Sequence, residues 1–198
     1  MDNNAYGIAI RQYRPSDAES VRSICIETLP EIMAQNHMEK LALVAFCNYY
    51  IKHEPSCCFV AATEAGDVVG YILCAENAKL WSETYLKSIS PLPDCDAKEF
   101  LETITETPLS LSEEYPAHLH VDILPEFQRM GIGTRLVDAL VQELGKRGVP
   151  GLMLCVNPSN EMGIRFYLKY GFEILDERPY ETVMGLTLKI PGTCYARE

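Results

Sequence analysis

Apolar and polar side chains alternate over residues 7–13, the period of a half-buried strand, and Pro15 stops the pattern. Ser16 stands three residues before Glu19, a capping-box spacing that predicts a helix over about 17–29. Val21, Ile24, Cys25 and Thr28 share one face of it, and Pro30 follows. Met38, Leu41, Ala42, Ala45 and Tyr49 recur at helical spacing and predict a second helix over about 38–51. Two apolar runs, 57–62 and 68–75, flank the turn Glu64-Ala65-Gly66-Asp67 and predict a hairpin. Residues 118–124 form another strand, and a glycine-bearing turn leads into a helix ending near Arg147. A buried strand is expected at 152–156. A helix then opens at Ser159 or Asn160, runs to Tyr170 and is capped by Gly171, and strands follow at 172–175 and 182–188.

Residues 77–116 break the rhythm. Pro91, Pro93, Pro108 and Pro116 punctuate them, and they carry eight acidic side chains against three lysines. Leu80, Trp81, Tyr85, Leu86, Phe100, Leu101 and Ile104 give them enough apolar surface for two short helices. The stretch reads as an ordered insertion, a candidate lid, within one domain spanning 1–198.

Charge and cysteine content narrow the function. With 17 basic and 28 acidic residues the net charge is −11, which repels nucleic acid and would attract cationic substrates, although plain solubility is the first reading of such a balance. The eight cysteines, including Cys95 and Cys194, are scattered without a C-x-x-C pair, so neither a metal site nor a disulfide framework is expected. The polar start, Met1 and Asp2 onward to Ala5, does not look like a signal peptide, and no apolar run reaches membrane-spanning length. A reducing cytoplasm fits this pattern.

The chemistry concentrates after residue 118. In the turn Gln128-Arg129-Met130-Gly131-Ile132-Gly133-Thr134, glycines at a helix start let backbone approach a ligand, and unpaired first-turn N–H groups make an anion site suited to a pyrophosphate. Arg129 would add charge. A triphosphate loop and a full dinucleotide fingerprint are both missing. Downstream lies Asn160-Glu161-Met162-Gly163-Ile164-Arg165-Phe166-Tyr167-Leu168-Lys169-Tyr170-Gly171-Phe172.

The two segments together resemble the cofactor-binding motifs of the GNAT superfamily of acyltransferases. The first matches (R/Q)-x-x-G-x-(G/A) at Gln128, Gly131 and Gly133, and the second matches N-x-x-(A/G)-x-x-x-Y-x-x-x-G-F throughout. More narrowly, Tyr115-Pro116-Ala117-His118-Leu119-His120-Val121-Asp122-Ile123-Leu124-Pro125, with the insertion before it, is similar to the acetyltransferase-like domains of O-GlcNAcases and their free-standing bacterial relatives.

The resemblance implies an α/β (α+β) GNAT fold: a mixed sheet of about seven strands flanked by helices, with a splayed cofactor cleft. It implies acetyl-CoA as co-substrate, bound by Ile123, Leu124, Gln128, Arg129, Met130, Gly131, Ile132, Gly133, Thr134, Asn160 and Tyr167, with no metal. The acceptor would be a small-molecule amine or a peptide, attacking the thioester directly, and a homodimer is compatible with it. Tyr167 matches the family's tyrosine facing the sulfur, where a phenol protonates the departing thiolate; the alternative is packing beside Phe166. Asn160 either binds the pantetheine arm or merely caps its helix. For the base, Asp122 and His120 share one face of the entering strand, and Asp122 lies nearer its splayed end. Asp122 is equally read as a hydrogen-bonded structural carboxylate, His120 reads first as a satisfied core histidine, and Glu76, at the end of another strand, is a third candidate. Two other readings stay open: a CoA-binding pseudo-acetyltransferase without turnover, and an interaction module built on the same scaffold.

Overall fold

The computed structural model describes residues 7–35, 38–89 and 95–189. The polar start at Met1 to Ala5, together with Pro91, Pro93 and Cys194, lies outside them. In chain order the elements are β1 (Ala9–Gln12), α1 (Ala18–Glu27), α2 (Glu31–Gln35), α3 (Glu39–Phe46), α4 (Asn48–His53), β2 (Phe59–Ala62), β3 (Val68–Ala75), α5 (Ala78–Ile89), α6 (Cys95–Thr103), α7 (Glu106–Ser110), β4 (Ala117–Ile123), α8 (Ile132–Lys146), β5 (Gly151–Val156), α9 (Glu161–Tyr170), β6 (Glu173–Glu177) and β7 (Thr182–Thr187).

Among the described residues the strands form one seven-stranded sheet in the order β1-β2-β3-β4-β5-β7-β6. Every neighbouring pair is antiparallel except β4 and β5. Alternation along the strands sends side chains to two layers. Leu119 and Ile72 pack under α8 and α9, against Leu136, Leu140 and Phe172. Tyr71 and Leu73 face the other way, into a layer with Val21 and Ile24 of α1, Tyr50 of α4 and Trp81 of α5. Helix α8 shows how pattern becomes packing: Ile132, Leu136, Val137, Leu140 and Leu144 recur on one stripe and all are buried.

The amino-terminal half departs from expectation in three places. The capping box does not form. Instead the Asp17 carboxylate accepts from the Arg14 backbone N–H (2.8 Å) and from both Arg11 guanidinium nitrogens (2.7 and 2.8 Å). The helix predicted over 38–51 is broken into α3 and α4 at Cys47, whose backbone (φ −131°, ψ −64°) leaves the helical region. The turn of helix after Pro30, α2, is too short for periodicity to reveal. Among its described residues the insertion holds three helices, not two. Its base is closed by the Ala78 N–H bonding Pro116 O (2.7 Å).

Candidate functional site

Strand β4 is bonded to β3 from Ala75↔His118 to Gly70↔Ile123, but to β5 only at Ala117↔Leu152 and His118↔Met153. Beyond those two pairs the strands part, although β5 stays bonded to β7 as far as Val156↔Thr182. The facing edges of 119–123 and 154–156 therefore lack ladder partners across the gap. A cavity of about 690 Å³ opens there, with Leu119 to Asp122 on one wall and Met153 to Asn157 on the other. This is the splayed cleft expected of the fold.

The loop after β4 sits at the mouth of the split. Leu124 N–H still bonds Val69 O (3.0 Å); a short turn over Pro125–Phe127 follows, and Gln128 is extended. Arg129 takes φ 61° and Gly131 φ 75°, both left-handed, and Arg129 is the one non-glycine residue of this kind among those described. Backbone strain is thus concentrated where the ligand loop was predicted. The first bond of α8 runs from Arg135 N–H to Gly131 O (3.2 Å). Helix geometry leaves the N–H groups of Ile132, Gly133 and Thr134 without intrahelical acceptors.

The two glycines do different work. A Cβ on Gly131 would meet nothing within 4 Å, so its position is open to a ligand. A Cβ on Gly133 would lie 3.2 Å from Phe166 Cζ, so that glycine lets α9 pack against α8 rather than making room for a ligand. Gln128 folds back, its Nε2 donating to Ile123 O (3.0 Å), and so shapes the loop. The Ile132 side chain is core. The Arg129 and Thr134 side chains are exposed, and that of Met130 is half-buried.

Side chains from both layers meet at the split. Tyr167 comes from α9, packed edge-on against Phe166 and Phe172 with ring centroids 5.1 and 5.4 Å away, and it borders the cavity. Burial, with the Asp122 carboxylate nearby, raises its phenol well above the usual range. Asn160 also borders the cavity, but its Oδ1 accepts from Gly163 N–H (2.9 Å), the helix-cap alternative. A Cβ on Gly163 would collide with that carboxamide at 2.7 Å.

From the opposite layer, Asp122 Oδ2 accepts from Tyr71 Oη (2.5 Å). Burial raises the Asp122 pKa, and hydrogen bonds from Tyr71 and Thr28 pull it back part of the way. His120 and His118 follow along the same face of β4, and each Nε2 meets the Tyr50 hydroxyl, at 2.9 and 3.0 Å. Burial lowers His118 to about 3, helped by His120, and His120 to about 4, so both rings are neutral at pH 7. Glu76 does not border the cavity; its Oε2 accepts from Arg147 (2.9 Å).

The remaining wall combines the insertion, expected as a candidate lid, with the β6–β7 connection, which was not foreseen as part of a site. Phe100, Ile104 and Thr107 of the insertion border the cavity, as do Arg178, Tyr180 and Glu181 from the β6–β7 connection. Thr107 Oγ1 donates to Glu181 Oε1 (2.8 Å) and accepts from Arg178 (2.6 Å), while Arg178 also reaches Asp176 (2.7 Å). These contacts tie α7 to that connection. Tyr50, Tyr71 and Arg178 were missed because their partners lie 51 to 71 residues away in the chain. Among the described residues no group of three or more His, Cys, Asp or Glu is gathered as a metal would need, and no helix is long and apolar enough to cross a membrane.

Comparison with known proteins agrees with this geometry. SsHAT, a solved structure, superposes with a TM-score of 0.81 at 28% identity, covering 91% of this chain and 98% of that one. The PaiA N-acetyltransferase of Thermoplasma acidophilum, solved in complex with coenzyme A, shares the fold at 16% identity and a TM-score of 0.61, over 91% of this chain and 98% of its own. The ribosomal protein bS18-alanine N-acetyltransferase of Escherichia coli K12 is 41% identical over 66 residues, 33% of this chain and 43% of that protein. Its Salmonella typhimurium counterpart is 41% identical over 81 residues, 40% of this chain and 53% of that protein. The chain thus spans about half the length of the curated relatives it matches. The acetyltransferase (GNAT) family model matches residues 19–172, taking in the divided strands, the left-handed loop and the capped helix that carries Tyr167, and on that match the chain belongs to the acetyltransferase (GNAT) family.

Proposed function

We propose that the protein is a single-domain N-acetyltransferase that moves an acetyl group from acetyl-CoA to a primary amine by direct attack. The observation that carries this reading is the parting of β4 from β5 beside an open glycine-bearing helix start. The N–H groups of 132–134 and the dipole of α8 suit a pyrophosphate, and the unpaired strand edges suit an amide-bearing arm lying between them. Acetyl-CoA, when bound, supplies the acetyl group as an activated thioester.

The chain's own residues do the rest. Asp122 takes the proton of the attacking amine, and its elevated pKa brings it closer to that task than an exposed carboxylate would be. Tyr167, kept protonated by burial, gives its proton to the departing thiolate. The insertion covers the acceptor side, which makes that side the seat of specificity, with a cationic small-molecule amine or a basic peptide as acceptor. The segment at 115–125 and the insertion support a place among the O-GlcNAcase-type acetyltransferase-like domains. Five described free cysteines are buried thiols, in keeping with a reducing cytoplasm.

Calorimetry with acetyl-CoA tests the binding half of this reading. A 1:1 complex that Gly131→Leu abolishes, in a protein that stays folded, is the expected result. Unchanged affinity in that variant would remove its basis.

A further inference from the structure

Tyr50 is fully buried on α4, and its one hydroxyl sits between two imidazoles, His118 Nε2 at 3.0 Å and His120 Nε2 at 2.9 Å. The hydroxyl has a single hydrogen. It therefore donates to one ring and accepts from the other, and the two histidines must be opposite tautomers.

The surroundings decide which is which. His118 is 4% exposed and its Nδ1 has no hydrogen-bond partner. A buried N–H without an acceptor is rarer than an under-used lone pair. His118 therefore carries its hydrogen on Nε2 and donates to Tyr50; Tyr50 donates to His120 Nε2; and His120 carries its hydrogen on Nδ1. The rings have no charged partner among the groups that act on them. Tyr50 feels Tyr49 beside it, Tyr85 of α5, Cys74 of β3 and Cys58, and along the face of β4 the next ionisable group is Asp122. Trp81 packs edge-on against His118 at 4.4 Å, and Phe46 tilts against His120 at 5.3 Å. His120 is half-buried and borders the cavity, so Nδ1 is the polar atom it has left for a ligand.

We infer that His120 is not a base but a neutral hydrogen-bond donor, its Nδ1–H directed to the thioester oxygen as that oxygen gains negative charge, with Tyr50 and His118 as positioning residues that lock the tautomer. This rests on the reading of the cavity as an acetyl-transfer site. No proton leaves His120 in the step. The carbonyl carbon gains a bond to the amine nitrogen, its π electrons move to oxygen, and the N–H shares its hydrogen with that oxygen until the electrons return and the C–S bond breaks. A neutral imidazole suits this work because it presents a donor without holding a buried charge.

Nitrogen-15 NMR of the histidine side chains tests the tautomers without any turnover. The prediction at pH 7 is a neutral His118 protonated on Nε2, a neutral His120 protonated on Nδ1, and a His120 Nδ1–H resonance that acetyl-CoA shifts more than CoA does. In Tyr50→Phe the His120 preference should relax towards Nε2–H. A His120 protonated on Nε2 in the unmodified protein, or a resonance blind to the acetyl group, would overturn the inference. Kinetics separate donor from base. His120→Ala should lower kcat about 100- to 1000-fold, and His120→Gln, which offers an amide N–H but cannot accept the proton, should recover most of the loss. Equal inactivity of the two variants would also overturn it. If the unmodified protein turns over no amine at all, the acetyltransferase reading fails, and the tautomer measurement still decides the donor question.

Discussion

Tyr167 is held so firmly that its role can be tested without disturbing the fold. Phe166 and Phe172 fix the ring, and replacement by Phe keeps that packing while removing the hydroxyl. Tyr167→Phe should slow turnover about 10- to 1000-fold with little change in acetyl-CoA affinity, measured by steady-state kinetics and calorimetry. A rate equal to that of the unmodified protein would leave the phenol as packing alone. The glycines of the loop make a second contrast at this scale. Gly131→Ala places a side chain at φ 75°, which costs about 1–2 kcal/mol, but meets no neighbour. Gly133→Ala keeps an ordinary backbone but presses on Phe166 at 3.2 Å. Thermal melts should show both destabilised, and only the Gly131 variants should lose cofactor affinity out of proportion to stability.

At the scale of elements, the start of α1 rests on Asp17, whose carboxylate joins the Arg11 guanidinium to the Arg14 backbone N–H. Those bonds hold its pKa below the usual range, the hydrogen bond from Arg11 being the largest cause. The sign follows: the stabilisation is fully present above the unfolded value near 3.9 and is lost as pH falls through the lower folded value. Asp17→Asn should lower stability by about 1–3 kcal/mol at pH 7 and by progressively less below pH 4, read from urea melts. A deficit independent of pH would place the effect in shape rather than charge. The same element shows where sequence reading stops. Ser16 and Glu19 have the right spacing for a cap, but the cap that forms needs Arg11 from the strand before it. The run from Met38 reads as one helix because periodicity cannot see the turn at Cys47. By contrast β3, α8 and α9 were legible, since β3 is a continuous apolar run after the turn at Gly66, and α8 and α9 carry a strong helical period with glycine or asparagine at their ends. The loop was singled out by its glycines at a helix start, and Tyr167 by the GNAT-like motif around it. Tyr50, Tyr71 and the Arg178 contacts join remote parts of the chain, so no local pattern announces them.

For the whole molecule, the insertion carries a charge of −5, eight acids against three lysines, within a total of −11. Several of its residues, among them Phe100, Ile104, Glu106 and Thr107, stand on the cavity wall, and Thr107 anchors α7 to the far end of the sheet. Raised local cation concentration, not a specific ion pair, is the mechanism by which such a cover would favour a basic acceptor. Replacing Glu99, Glu102 and Glu106 by Gln should raise the acceptor KM, and so should higher ionic strength, while acetyl-CoA affinity stays fixed. An indifferent KM would make the insertion a structural cover only. The central claim, that this split sheet transfers acetyl groups, is tested most directly by thiol release from acetyl-CoA across a panel of primary amines and basic peptides, with Gly131→Leu as control. The account predicts amine-dependent release by the unmodified protein and none by the control. Tight acetyl-CoA binding with no release above the control for any amine would contradict it.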